Sequence, residues 1–165
     1  MAEKVGEKPT QVIRIQKIQN ILIAVDRSGY KDKIISYSVT LAKALGARIT
    51  AIHILDRAAL GVIGDLISYY RDGMVEEYEK AMRKQAEEFM AEVRLSLEKE
   101  GIKASTEVIT NVSSAAEGII DYAKNANVDF VVMGTKGLTG VEKFLLGGVA
   151  SAVIQNAHCP VLAIR

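Results

Sequence analysis

The stretch NILIAVDRSGYKDKIISYSVTLAKALGARITAIHILD, Asn20 to Asp56, decides the fold. It opens with NILIAVD (Asn20–Asp26), a short and nearly continuous apolar run rich in Ile. A strand covered on both faces reads this way, without polar residues at every second position. The run stops at Asp26-Arg27-Ser28-Gly29, a turn with helix-capping residues. Ile34, Ser38, Leu41 and Leu45 then recur at helical spacing, flanked by Ile35, Val39 and Ala42. Gly46 stands where a helix is expected to end. RITAIHILD (Arg48–Asp56) reads as a second strand. Strand, helix and strand in this order build a parallel pair with a right-handed crossover.

The same alternation continues. Residues 57–74 are mixed, with Gly61, Gly64 and Gly73, and predict a loop with some helix. Val75, Tyr78, Met82, Ala86, Phe89, Val93 and Leu97 then step by three and four along one helix face. Met74, Met82 and Met90 fall on or near that stripe and read as core. Glu76–Lys80 and Glu79–Arg83 are spaced to pair on the wet face, and Gly101 stops the helix. KASTEVIT (Lys103–Thr110) predicts a third strand. VSSAAEGIIDYAKNA (Val112–Ala126) predicts a helix capped by Ser113 or Ser114. VDFVVMG (Val128–Gly134) is a fourth strand, Gly148–Ala157 a small helix, and CPVLAIR (Cys159–Arg165) a fifth strand with Pro160 near its start. The expected architecture is α/β: a single doubly wound domain, a five-stranded parallel sheet flanked by about four helices, over residues 20–165. Residues 1–19 read as a polar N-terminal extension. Within it, QVIRIQKIQ (Gln11–Gln19) is open between a short edge strand and a simple lead-in.

Composition narrows the function. The chain has 165 residues, one domain's worth, and 49% of them are hydrophobic. Its 25% charged residues and two prolines argue against extended disorder. A net charge of +1 offers no electrostatic case for nucleic acid or an anionic membrane surface. Trp is absent and aromatics are scarce, which weakens base stacking as a mode of binding. The one cysteine, Cys159, cannot form an internal disulfide. A reducing, cytoplasmic location is the expectation, with Cys159 a small buried hydrophobe beside a strand. No apolar signal-peptide core and no run of ~20 apolar residues stands in the sequence.

The stretch FVVMGTKGLTGVEKFLLGGVAS (Phe130–Ser151) carries five glycines: Gly134, Gly137, Gly140, Gly147 and Gly148. In open α/β sheets, ligands sit beyond the carboxyl ends of the strands where the strand order reverses. Gly134 ends a strand at such an edge, and Gly147 and Gly148 open a helix. The first amides of a helix lack internal partners and attract anions such as phosphate. No G-x-x-x-x-G-K-[ST] and no G-x-G-x-x-G after a strand is present. From spacing alone, phosphate binding and plain tight turns both stay open. Lys136 and Lys143 are phosphate ligands or solvated loop lysines; Thr135 and Thr139 are hydroxyl donors or turn formers. His53 and His158 have no ligand-spaced partners, so no metal site is expected. No nucleophile elbow, H-E-x-x-H or Ser/His/Asp set suggests a catalytic centre.

Met133-Gly134-x-x-Gly137, nine residues and then Gly147 resemble the nucleotide signature of the universal stress protein family: glycine, two residues, glycine, nine residues, glycine, then Ser or Thr. GLTGVEKFLLGGVAS resembles that family's loop over its whole length. Ile21–Asp56 is similar to its opening strand–helix–strand, and NANVDFVVMG and HCPVLAIR to its later strands. The resemblance implies a fold like that of the adenine nucleotide alpha hydrolases, a homodimer often joined through the last strand, and binding of ATP or AMP, with or without Mg. It implies that Asp26 meets the adenine beside Ala24, and that Ile54 lines the base pocket. Met133, Gly134, Gly137 and the loop with Lys136 and Gly140 would contact ribose and phosphates. Gly147, Gly148 and Val149 would hold the phosphate end. Asp26 also reads as a plain helix N-cap, a role compatible with the first.

Two positions depart from the signature. Gly148 stands where the final Ser or Thr belongs, and Ala150 is apolar where some members are polar. A hydrogen bond to a charged oxygen is worth ~1.5–3 kcal/mol, roughly ten- to a hundredfold in affinity. The resulting expectation is a small dimeric nucleotide-binding protein of stress resistance, switching partners with its ligand. A dimer of the same fold that has lost the nucleotide and acts through unidentified protein partners is the alternative. A slow ATPase is the weakest reading, because Asp26 is the only acid expected near the pocket and no base is arranged to orient water.

Overall fold

A computed structural model describes residues 16–56, 74–135 and 146–165, and its described elements run from a strand at Asn20 to a strand ending at Ile164. The strands are β1 (Asn20–Ala24), β2 (Arg48–Asp56), β3 (Ala104–Val112), β4 (Phe130–Gly134) and β5 (Val161–Ile164). The helices are α1 (Lys31–Leu45), α2 (Met74–Lys99), α3 (Ala115–Asn125) and α4 (Gly148–Asn156). The sheet is parallel throughout, in the order β3-β2-β1-β4-β5. This is the expected doubly wound α/β architecture.

Side-chain alternation along the strands divides the core in two. Ile21, Ile23 and Val25 face α1 and α2, packing with Ile34, Val39, Phe89, Val93 and Leu97. Leu22, Ile52, Val131 and Met133 face α3 and α4, packing with Ile119, Ala123, Ala150 and Val153. Both faces of β1 are therefore buried, which is why its sequence shows no polar alternation.

The helix ends follow local chemistry. Gly46 closes α1 in the left-handed conformation, φ 65°, with its N–H donating to the Ala42 carbonyl. Gly101, φ 77°, follows α2. Of the two serines before α3, Ser114 is the cap: its Oγ accepts from the Glu117 N–H at 3.2 Å. The Glu117 carboxylate reaches back to accept from the Ser113 N–H. Ser114→Ala should lower stability by about 1 kcal/mol, a shift measurable as a lower urea midpoint with an unchanged slope.

Three expectations need correction. Leu45 was placed on the buried stripe of α1, yet it is 41% exposed. Ile34, Ile35, Ser38, Val39 and Ala42 bury that helix instead, so the inner stripe drifts away from Leu45 by the last turn. The pairs Glu76–Lys80 and Glu79–Arg83 do not form. Arg83 turns to Glu87 at 3.5 Å, beside Lys84–Glu88 and Arg94–Glu98. Exposed side chains choose among several neighbours of near-equal energy. Asp26 is not a helix cap. The N-cap of α1 is Tyr30, with no side-chain hydrogen bond, and Asp26 lies before it in a separate turn. The helix expected within 57–73 lies outside the described residues, as do Gln11–Ile15; Gln16–Gln19 form no regular structure.

Candidate functional site

The strand order reverses between β1 and β4. The α1 connection carries the chain from β1 to β2 on one side, while β4 lies on the other. At the carboxyl ends of these strands a cavity of about 170 Å³ opens on the α3 and α4 side. Its origin is a missing side chain. Leu22 and Ala24 point to the same face of β1, and Leu22 is fully buried against that helix layer. Ala24 stands two residues further, between Ile52 of β2 and Met133 of β4. It carries only a methyl group, and the space above it stays open.

Ala24, Ile52, Ile54, Met133 and Ala150 make the apolar walls, with Ala115 and Ile119 from α3. Ala115 and Ile119 were missed in the sequence reading. They stand four apart, next to the N-cap of α3, a spacing that puts both on one helix face.

Asp26, just past the end of β1, is half-buried and lines the cavity. Its Oδ1 accepts from the Ser28 N–H at 3.0 Å, which holds the carboxylate in a tight turn just past the strand. Upstream of it, the Val25 N–H donates to the Ile52 carbonyl at 3.0 Å. The Val25 carbonyl bonds His53 Nδ1 at 2.8 Å, and the His53 ring meets Phe89 edge to face at 5.2 Å. These contacts make His53 a brace for the β1 end. Among the described residues, no three His, Cys, Asp or Glu side chains are grouped to hold a metal ion.

The part of the lining contributed by the end of β4 and the start of α4 is held by backbone. The Thr135 N–H donates to the Ile164 carbonyl, and the Thr135 carbonyl accepts from the Gly147 N–H, each at 2.8 Å. The end of β4 is thereby tied to the start of α4. Gly147 is the N-cap, extended at φ −61° and ψ 151°. Ser151 N–H donates to the Gly147 carbonyl at 2.9 Å. The amides of Gly148, Val149 and Ala150 come before it, at the positive end of the helix dipole. Thr135 is 9% exposed, and its buried Oγ1 has no hydrogen-bond partner among the described residues. The Ser151 hydroxyl is engaged by Gln155 Nε2 at 2.9 Å.

Of the residues singled out from the sequence, Ala24, Asp26, Ile54, Met133, Gly134, Gly147, Gly148 and Val149 line this one cavity. Lys136, Gly137 and Gly140 lie outside the described residues, as do Thr139 and Lys143. Cys159 is half-buried beside the α3 and α4 core cluster, away from the cavity. Burial, with the Asp129 charge behind it, raises its thiol pKa and keeps it protonated.

Comparison with known proteins fits this geometry. Residues 17–165 match the model of the universal stress protein family. The chain belongs to the universal stress protein family. Universal stress protein MJ0531 of Methanocaldococcus jannaschii is 31% identical over 147 residues, covering 89% of this chain and 82% of its own length. Among solved structures, protein MJ0577 superposes with a TM-score of 0.75 at 21% identity, over 90% of this chain and 96% of its own. The universal stress protein of Archaeoglobus fulgidus in complex with dAMP superposes at 0.63, with 18% identity, over 91% of this chain and 100% of its own. At these identities the structural likeness is one of fold. Among the described residues of this family member, no helix is long and apolar enough to cross a membrane.

Proposed function

We propose that this universal stress protein binds an adenine nucleotide, ATP or AMP, in the cavity at the strand-order reversal. One observation carries the reading. A largely apolar cavity counts among its lining residues both the Asp26 carboxylate and the residues that open α4, Gly147 to Ala150. That is the chemistry of a flat base joined to a phosphate. Ala24 and Ile54 form walls for the ring, and the Asp26 carboxylate accepts from the adenine amino group. Gly134 lets the backbone approach the ribose. Gly147, Gly148 and Val149 present amides to the phosphate, and Thr135 Oγ1 gains the partner it lacks. The Archaeoglobus fulgidus fold-mate, which holds dAMP, supports the ligand class.

Asp26 is the only carboxylate among the described lining residues. A Mg ion would therefore arrive on the phosphates rather than on a protein cage. The other titratable side chain among the described lining residues is His53, whose Nδ1 is engaged by the Val25 carbonyl. The protein would act as a dimeric binding module of the cytoplasm, changing partners with its nucleotide. β5 is a sheet edge with one neighbour, and Val161, Leu162 and Ala163 along it are only half-buried. An open edge of this kind pairs readily with a second copy.

Titration calorimetry with AMP and ATP tests the reading. Wild type should bind both, and Asp26→Ala should bind about tenfold more weakly, the loss of one hydrogen bond to a charged acceptor. Absence of heat at millimolar nucleotide would overturn it.

A further inference from the structure

The glycine in the middle of α3 has no turn to make. Gly118 is buried, one residue before Ile119 of the cavity wall. A Cβ built on it would meet Ile54 Cδ1 at 3.1 Å and both Val112 γ-carbons at 3.4 Å. The end of the Ile54 side chain thus lies tight against the place of a Cβ at 118 and would have to give by a few tenths of an ångström to admit one. Ile54 is itself a wall of the cavity.

We propose that Gly118 is a positioning residue that sets the width of the base slot by receiving the Ile54 δ-methyl. Resting on the nucleotide reading above, it makes the slot of this chain a product of two elements, β2 and α3. Val112 flanks the same notch, and Ile54 also borders the open cavity, so the cavity offers a displaced Ile54 methyl room to move. Both neighbours are β-branched and stiff at χ1, but the Ile54 δ-methyl can also turn about χ2, a freedom that Val112 lacks. Glycine in a helix interior is otherwise unfavourable relative to alanine. Filling 118 should therefore leave the fold intact while it narrows the slot.

The experiment compares wild type, Gly118→Ala, Ile54→Val and the double variant in AMP calorimetry and thermal melting. Ile54→Val removes Cδ1 and nothing else. Gly118→Ala should weaken AMP about tenfold, the scale of one methyl group in an apolar pocket, with no fall in Tm. The double variant should bind AMP within about threefold of Ile54→Val alone. A Gly118→Ala protein that binds AMP as wild type does, or a double variant as weak as Gly118→Ala, overturns the proposal. Failure of wild type to bind either nucleotide would instead remove the nucleotide function. The Ile54 δ-methyl resonance then decides the positioning on its own: it should move between wild type and Gly118→Ala, and an unmoved resonance overturns it.

Discussion

Replacing Ala24 by Leu is expected to lower AMP and ATP affinity at least about a hundredfold while the protein melts at or above the wild-type temperature. The reason is local. Position 24 lies on the face of β1 that Leu22 shares, between Ile52 and Met133, and Ala24 lines the cavity. Leu adds three carbons, and apolar atoms already form the walls they would touch. Filling a cavity that the fold leaves open adds contacts without pushing neighbours aside. The ligand, by contrast, must occupy that same volume. Overlap with a packed wall costs roughly 1–3 kcal/mol and more when nothing can yield, which sets the loss near two decades or beyond. Calorimetry gives the affinity and a melt gives the stability. A variant that loses both has simply misfolded; one that keeps wild-type affinity places the base elsewhere.

The elements that carry the cavity and the walls that line it are not equally legible in the sequence. β1, α1 and β2 were legible because their signals are local: an Ile-rich run, a helical spacing and a glycine at the stop. Leu45 misled because a spacing rule extends a stripe to the helix end, whereas burial depends on where the sheet lies beneath it. Asp26 was read as a cap because Asp-x-Ser-Gly suits one; the structure spends its carboxylate on the Ser28 amide, and the helix starts later. The glycine motif pointed to Gly134 and Gly147, whose neighbours Thr135 and Ile164 tie the corner together. Nothing local marks Ala115, Ile119 or the contact of Gly118 with Ile54. Those depend on α3 crossing β2, a pairing between segments far apart in the chain. The walls of the slot belong to tertiary structure, and its polar groups to short motifs.

The phosphate end supports a second large effect, in the opposite direction. Gly148 stands where the family signature has Ser or Thr, and a Cβ built there meets nothing within 4 Å. Its φ lies outside the left-handed region, so any L-residue fits the backbone. Gly148→Ser should raise ATP affinity by about ten- to a hundredfold, one hydrogen bond from a neutral hydroxyl to a charged oxygen. The nearest natural hydroxyl in the helix, that of Ser151, lies three residues on, and its Oγ accepts from Gln155 Nε2. AMP should improve as well if its phosphate reaches the same amides, while adenosine, lacking phosphate, should bind unchanged. That contrast separates a better phosphate site from a merely steadier helix, since the few tenths of a kcal/mol that Ser adds over Gly in helix propensity would act on all three ligands alike. Equal gains for adenosine and ATP, or no gain for ATP, would mean that the start of α4 does not hold the phosphate.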